Sequence, residues 1–142
     1  MFHTIIYVGN LGRDPEMRYT PSGQAVTNFS VAVNRQYTGG DGSVVKETIW
    51  IRTSTWGKNA ENCNQYLHKG SKVLVEGHLV ADPATGGPKI YNKQDGTPGA
   101  SFEVSALTVR FLSSKQDDEN SASEPSGIAD GAAEAASGDI PF

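Results

Sequence analysis

Two long segments of alternating polarity, joined by a glycine-rich turn, are the feature that most limits how this chain can fold. In residues 25–37, apolar side chains alternate with small or polar ones and place Phe29, Val31 and Val33 on one side. Residues 44–56 alternate in the same way. Strict alternation is typical of a β-strand with one buried face, and the intervening Asp41-Gly42 favours a hairpin turn. The sequence therefore predicts two paired strands.

Three further strands are predicted where β-branched and aromatic residues are concentrated between turn sequences, over residues 2–11, 72–80 and 101–112. Gly77 interrupts the second of these segments and indicates a bulge or a sharp bend. Residues 16–19 are predicted as a loop. Residues 82–99 are predicted as a long loop or a mobile hairpin, because they contain several turn sequences.

One helix is predicted over residues 58–68. Ala60, Cys63 and Leu67 recur there at helical spacing, and Gly70 is expected to end the helix. Five strands with one short helix between the third and the fourth match an all-β, five-stranded Greek-key OB-fold barrel. From this pattern alone, another small β-barrel fits nearly as well.

The composition changes sharply after Leu112. Residues 113–142 contain only three large apolar side chains, Ile128, Ile140 and Phe142, too few to offset a backbone entropy cost of about 1–2 kcal/mol per residue. Residues 1–112 hold 11 Lys and Arg against 9 Asp and Glu, whereas residues 113–142 hold 1 against 7. We therefore expect a mildly cationic folded domain over residues 1–112, followed by a disordered acidic tail.

Enzymatic and metal-binding patterns are absent from the sequence. The three histidines are scattered, Cys63 is the single cysteine, and no nucleophile–base spacing or glycine-rich phosphate loop is found. No apolar segment approaches the ~18 residues of a membrane span, and the N-terminal apolar stretch is too short for a secretory signal. We expect a soluble intracellular protein without catalytic residues, metal, cofactor or membrane association.

The strand over residues 44–56 carries the most informative side chains. Trp50, Arg52 and Trp56 share one face, and Ile49 and Ile51 lie on the other. If the tryptophan face were the core, Arg52 would be buried without a partner, at a cost of several kcal/mol. We therefore predict two exposed tryptophans beside a cation, a platform that suits a stacked ligand. Packing in the core or at a subunit interface is the alternative.

Cations and a further aromatic ring accompany this platform. Arg35 and Tyr37 end the preceding strand and approach Lys46 across the hairpin. Further lysines follow at Lys58, Lys69 and Lys72. Because bases of any identity stack on aromatic rings while cations follow the phosphates, the combination suits single-stranded nucleic acid. Each lysine taken singly is equally consistent with solvated surface.

Several stretches of the sequence together form a specific pattern. They are Val8-Gly9-Asn10-Leu11-Gly12-Arg13-Asp14-Pro15-Glu16-Met17-Arg18-Tyr19, Pro21-Ser22-Gly23-Gln24-Ala25-Val26, Trp56-Gly57-Lys58-Asn59-Ala60-Glu61, Tyr66-Leu67-His68-Lys69-Gly70-Ser71-Lys72-Val73, Val75-Glu76-Gly77 and Asp139-Ile140-Pro141-Phe142. With these residues the chain resembles the bacterial single-stranded-DNA-binding protein family. The resemblance covers nearly all of residues 1–112 and the end of the tail.

The resemblance implies an OB-fold protein that assembles as a homotetramer and wraps single-stranded DNA around its outside during replication, repair and recombination. It implies no catalysis and no metal, and a cytoplasmic, nucleoid-associated location in bacteria. The family's stacking aromatics fall on Trp50 and Trp56, and a third corresponds approximately to Tyr37. Its strand-contacting cations fall on or beside Lys58, Lys69 and Lys72. Arg35, Lys46 and Arg52 complete this part of the predicted site.

Two segments depart from the family pattern. Relatives often carry cations and a tryptophan after the fourth strand, whereas residues 79–87 contain neither. Lys89, Tyr91 and Lys93 can substitute from later in the loop. Relatives also often place several aspartates before the terminal Ile-Pro-Phe, whereas here a single acid, Asp139, adjoins it.

The end of the tail predicts a second binding function. A pocket with a basic rim on a partner could capture the terminal carboxylate and the ring of Phe142. The predicted partner-binding residues are Asp139, Ile140, Pro141 and Phe142. The resemblance implies that such partners are DNA replication, repair and recombination proteins. A tail that only increases solubility is the alternative.

Other classes of function remain compatible with the fold. An OB-fold can also bind oligosaccharide or serve as a subunit without a ligand of its own. A nuclease would need clustered acids or histidines to hold a metal, and no such cluster is evident in the sequence.

Overall fold

The computed structural model describes residues 1–113, which form eight strands and one helix. In chain order these are β1 (Ile5–Leu11), β2 (Glu16–Tyr19), β3 (Ala25–Thr38), β4 (Val44–Trp56), α1 (Gly57–Tyr66), β5 (Lys72–Leu79), β6 (Ile90–Asn92), β7 (Pro98–Ala100) and β8 (Phe102–Phe111). The predicted disordered tail over residues 113–142 lies, apart from Ser113, outside the described residues.

Five long strands, β1, β3, β4, β5 and β8, close into a barrel. The sheet order is β1-β5-β8-β4-β3-β2, and an additional β1–β3 pairing closes the barrel at Asn10 opposite Ala32 and Leu11 opposite Val31. Neighbouring barrel strands are antiparallel except β4 and β8, which run parallel. Since α1 lies between the third and the fourth of these strands, the predicted OB-fold is confirmed.

The barrel interior is filled by the inward-facing residues of these strands. Val31, Val73 and Val75 are fully buried, and each such side chain stabilises the fold by roughly 1.5–3 kcal/mol. Cys63 and Leu67 pack into the same core from α1 and the residue that follows it, as their spacing predicts. Burial raises the pKa of the Cys63 thiol to about 11, so this cysteine acts as a neutral, apolar filler.

Two buried hydrogen bonds of side-chain hydroxyl groups connect elements of the barrel. The Tyr7 hydroxyl forms a 2.5 Å hydrogen bond with Thr53 Oγ1, which joins β1 to β4 across the core. Thr27 Oγ1 donates to the carbonyl of Ala60 over 2.7 Å and holds α1 against β3. Both bonds satisfy polar groups that would otherwise cost about 1–3 kcal/mol each on burial.

Residues 16–19, predicted as a loop, are the short strand β2. They pair with β3 from Glu16 opposite Asn28 to Tyr19 opposite Ala25, and Gly23, with φ 85°, lies in the turn between the two strands. The loop prediction is wrong because four residues between two turn sequences are too few for alternation to be recognised. The first strand also begins at Ile5 rather than at residue 2.

Gly70 does not end α1 as predicted, because the helix ends at Tyr66. Leu67 is already extended, with φ −92° and ψ 149°. Its side chain packs in the core, so the chain leaves helical geometry three residues before the glycine. Gly70, with φ 91°, lies instead in the turn before β5, where its N–H donates to the carbonyl of Leu11.

The bulge predicted at Gly77 is confirmed by a register shift in the β5–β8 pairing between Glu76 and Gly77. A Cβ at Gly77 would overlap the carbonyl oxygen of Ser105, so the close approach of the two backbones requires glycine there. Of the two alternatives for residues 82–99, the hairpin is confirmed. Its strands β6 and β7 pair with Tyr91 opposite Gly99.

Candidate nucleic-acid interface

Trp50 and Trp56 lie exposed on one face of β4, as the alternation predicts. Their exposed fractions are 53% and 43%, and Arg52 lies between them on the same face. Ile51, Thr53 and Thr55 on the opposite face are buried. The alternative in which the two indoles pack in the barrel core is therefore wrong. Six residues of extended strand separate the two indoles, a distance of about 20 Å.

The strand beside β4 leaves these side chains uncovered. The β3–β4 register places Ala32 opposite Trp50 and Ser30 opposite Arg52. Directly opposed residues share one face of an antiparallel pair. Because the neighbours on β3 are small, they expose the faces of Trp50 and Arg52 to a ligand.

Two neighbouring depressions meet at Arg52. The first, of about 560 Å³, contains Trp56 and is called here the Trp56 depression. The second, of about 880 Å³, contains Trp50 and is called the Trp50 depression. Arg13, Ser30 and Arg52 line both. A ligand can therefore extend from one tryptophan to the other past two arginines.

The Trp56 depression carries charges of both signs. Its cations are Arg13, Arg18, Arg52 and Lys89, and its acids are Asp14, Glu16 and Glu103. Arg52 Nη1 lies 4.0 Å from Glu103 Oε1. The other three cations form no ion pair within 4.0 Å among residues 1–113. These three cations are available to an anionic ligand.

The Trp50 depression carries positive charge only. Arg13 and Arg52 line it together with aromatic and small side chains, and no carboxylate contributes to it. The combination of arginines with exposed rings is suited to a polymer that has both phosphates and bases.

The β6–β7 hairpin brings Tyr91 to the Trp50 depression. Tyr91 lies opposite Gly99, where an added Cβ would be only 3.0 Å from the tyrosine ring and from Lys93 Cε. The missing side chain at Gly99 therefore lets the Tyr91 ring lie across the hairpin, beside Lys93. Lys93 itself lines neither depression.

The turn after β1 is fixed by contacts to the segment between α1 and β5. Asp14 Oδ1 accepts a 2.8 Å hydrogen bond from the N–H of Lys69, and Asn10 Nδ2 donates to the carbonyl of Gly70 over 2.9 Å. These contacts hold in place the turn that carries Gly12 and Arg13, two residues of the Trp50 depression.

Comparison with known proteins identifies the family of this chain. Residues 2–112 match the sequence model described as the single-strand binding protein family. The chain belongs to this family. The single-stranded DNA-binding protein of Wolinella succinogenes is 40% identical over 115 residues, which cover 81% of this chain and 67% of that protein. Single-stranded DNA-binding protein A of Bacillus subtilis is 39% identical over 115 residues, which cover 81% of this chain and 62% of that protein.

Several site residues predicted for this single-strand binding protein family member lie away from the two depressions. Arg35 and Tyr37 belong to the opposite face of the β3–β4 hairpin. There Arg35 forms a 3.2 Å ion pair with Glu47 and lies 4.9 Å from the centroid of the Tyr37 ring. Lys46 shares the face of Trp50 but lies nearer the hairpin turn. Lys58, Lys69 and Lys72 line neither depression.

Arg13, Arg18 and Phe102 belong to the depressions of this family member but are missing from the sequence prediction. Arg18 could have been found if residues 16–19 had been recognised as a strand, because its partner on β3 would then have been known. Arg13 and Phe102 come from the ends of distant segments, and only the barrel closure brings them beside β4.

Two other features, a metal-binding cluster and a membrane-spanning helix, are absent from residues 1–113. No group of three or more His, Cys, Asp or Glu side chains is positioned to hold a metal ion in this part of the chain. No helix of the described residues is long and apolar enough to cross a membrane.

Proposed function

We propose that this chain binds single-stranded DNA without sequence preference, by stacking bases on Trp50 and Trp56 while neighbouring cations neutralise phosphates. One observation supports the proposal above all: two indoles are exposed on the same strand face, about 20 Å apart, with Arg52 between them. The relatives are named as single-stranded DNA-binding proteins. Each stacked base contributes ~1–3 kcal/mol and depends little on base identity.

Because several cations lie close together, a weakly positive domain can still neutralise the phosphates of a DNA strand. Residues 1–112 carry a net charge of only +2, from 11 basic and 9 acidic residues. Four of the basic residues, Arg13, Arg18, Arg52 and Lys89, line the Trp56 depression. Each phosphate neutralised on a single strand changes the slope of log affinity against log salt by about −0.7. We therefore expect a slope between −2 and −3 from these four cations, estimated at roughly −0.7 for each.

The remaining predicted residues are proposed to extend the path of the strand beyond the two depressions. They are Lys93 on the β6–β7 hairpin, Arg35, Tyr37 and Lys46 on the β3–β4 hairpin, and Lys58, Lys69 and Lys72 near α1 and β5. Tyr91, on the β6–β7 hairpin, lines the Trp50 depression itself. Because Arg35 and Tyr37 lie on the other face of their hairpin, a strand that contacts them must pass over its edge.

We further propose that copies of the chain assemble as a homotetramer. β1 pairs with β5 along Ile5–Asn10 but meets β3 only at Asn10 and Leu11. The edge of its first residues is therefore open, and the neighbouring Ile6 and Val8 are exposed. Proteins usually cover an open strand edge that carries apolar side chains. Sedimentation of the full chain should give the mass of four copies, and a monomer mass would contradict this proposal.

The last four residues, Asp139, Ile140, Pro141 and Phe142, are proposed to recruit proteins of DNA replication, repair and recombination. These residues lie outside the described part of the structure, and the proposal rests on their sequence. Deleting Phe142 should abolish capture of such partners while DNA affinity stays unchanged. We also propose a cytoplasmic, nucleoid-associated location in a bacterium.

The decisive test of the binding proposal compares nucleic acids of different strandedness. The full chain is mixed with single-stranded DNA, duplex DNA or RNA of the same sequence, with and without EDTA, and separated by gel shift. We expect a strong preference for the single strand that EDTA does not change. Equal binding to the duplex, or binding that EDTA abolishes, would contradict the proposal.

A further inference from the structure

Phe102, the first residue of β8, is an exposed aromatic residue with no role in the barrel core. Its exposed fraction is 62%, and it lines the Trp50 depression together with Trp50 and Tyr91. It belongs to no close pair of aromatic rings within residues 1–113. A phenyl ring left this open contributes little to folding, so its position requires another explanation.

The strand pairing explains why Phe102 lies at the edge of a cleft. β4 and β8 pair from Ile51 opposite Phe102 to Ser54 opposite Ser105. Before Ile51, β4 therefore has no partner on the β8 side. The β6–β7 hairpin ends at Ala100, two residues before Phe102. Phe102 thus lies where the open edge of β4 meets the base of the hairpin.

The lining of this cleft combines small residues, aromatic rings and positive charge. Small residues, Gly12, Ser30, Ala100 and Ser101, contribute to a depression of about 880 Å³. Its only charges are those of Arg13 and Arg52. Three rings, two guanidinium groups and no carboxylate match an anionic polymer with flat aromatic units.

We propose that Phe102 is a third base-stacking position, which holds a nucleobase of the same strand that stacks on Trp50. This inference rests on the proposed function and adds to it a residue and a place for the strand. The occupant is a nucleobase rather than a second copy of the chain, because the depression that Phe102 shares with Trp50 carries only positive charge. The path then leaves Trp50 toward the β6–β7 hairpin, between Phe102 and Tyr91.

A matched pair of variants tests this position. Phe102→Ala removes the ring, and Tyr66→Ala removes a ring with an exposed fraction of 61% that lines neither depression. In titrations of the full chain with dT oligomers, Phe102→Ala should weaken binding roughly 5- to 140-fold, the loss of one stacked base. Tyr66→Ala should leave the affinity unchanged, and Phe102→Trp should restore it.

A photo-crosslinking measurement reports contact directly. Oligomers that contain 5-iodouracil in place of thymine are irradiated with the wild-type chain, and the crosslinked peptide is identified by mass spectrometry. A crosslink at Phe102 supports the proposal. Crosslinks at Trp50 or Trp56 without one at Phe102, and without loss of affinity in Phe102→Ala, overturn it while leaving the proposed function intact.

Sedimentation of the same variants addresses the competing occupant. If Phe102→Ala lowers the mass of the assembly as well as the DNA affinity, the ring lies between copies of the chain and the stacking proposal is overturned. An unchanged mass with weakened binding supports stacking. If Phe102→Ala and Tyr66→Ala lose DNA affinity equally, the effect comes from removing any exposed ring. That result would also overturn the stacking proposal.

Discussion

The indole of Trp50 lies directly against the backbone of Gly12, so closely that a Cβ added at Gly12 would overlap the outer atoms of its six-membered ring. Gly12 follows β1, and Trp50 lies on β4. The contact therefore joins the fixed turn after β1 to the tryptophan face. It sets the position of the ring that is proposed to stack on DNA.

Gly12→Ala should displace the Trp50 indole and weaken binding to dT oligomers. The expected loss lies within the ~1–3 kcal/mol of one stacked base, because Trp50 must move before the methyl group fits. Fluorescence titration of the variant measures the affinity. A matched control is Gly40→Ala in the β3–β4 turn, since no atom lies within 4 Å of a Cβ there. Unchanged affinity in Gly12→Ala would show that this contact does not position the ring.

Glu103 is expected to oppose DNA binding by competing with phosphate for Arg52. The ion pair is partly exposed, with a distance of 4.0 Å, so its contribution to stability is only about 0–1 kcal/mol. Glu103→Gln should therefore tighten DNA binding roughly 2- to 5-fold at low salt, and the gain should shrink as salt screens the charges.

The matched control for this charge change is Glu61→Gln on α1, which removes the same charge outside both depressions. Affinities of both variants are measured over a range of salt concentrations. If Glu61→Gln tightens binding as much as Glu103→Gln, the effect comes from net charge and not from release of Arg52.

The buried hydroxyl of Tyr7 should make the stability of the fold depend on pH in the alkaline range. Burial raises the pKa of the Tyr7 hydroxyl from 10.0 to about 12, although its hydrogen bond with Thr53 acts in the opposite direction. Because the folded state holds the proton more tightly than the unfolded chain, the contribution of Tyr7 to stability is complete below pH 10 and is lost as the pH rises toward 12.

Tyr7→Phe removes this titration together with the hydrogen bond to Thr53. Below pH 10, where the hydroxyl of Tyr7 is neutral in both states, the variant should be less stable than the wild type by about 1 kcal/mol. Between pH 10 and 12 the difference should decrease, since only the wild type loses the contribution of this hydroxyl. Urea unfolding at a series of pH values measures the difference in the free energy of unfolding between the wild type and the variant. A difference that stays constant up to pH 12 would contradict the assigned pKa shift.

Much of the barrel could be predicted from the sequence because its long strands alternate strictly. The strand over residues 44–56 has the bounds observed for β4, and its faces divide as expected between Trp50 and Ile51. Ile49, expected to be buried with Ile51, is exposed and lines the Trp50 depression. β2 could not be predicted in the same way, because its four residues gain their strand geometry from pairing with β3. The sequence predicts the end of α1 too late, because burial of Leu67, rather than the glycine that follows, decides where the helix ends.

The candidate site could be predicted only where its residues lie on one strand. Trp50, Arg52 and Trp56 are neighbours by alternation alone. Arg13 and Phe102 reach the same surface through closure of the barrel and the parallel β4–β8 pairing, which a single strand cannot reveal. Arg35 and Tyr37 are predicted in the site because they end the preceding strand, but the register places them on the face opposite to the tryptophans.

Removal of the two indoles tests the central claim most directly. The full-chain variants Trp50→Ala and Trp56→Ala are titrated with dT oligomers, and binding is followed by the fluorescence of the remaining tryptophan. We expect each variant to bind more weakly by ~1–3 kcal/mol, with quenching of the indole that remains. Unchanged affinity in both variants would show that neither tryptophan stacks on DNA and would contradict the proposed function.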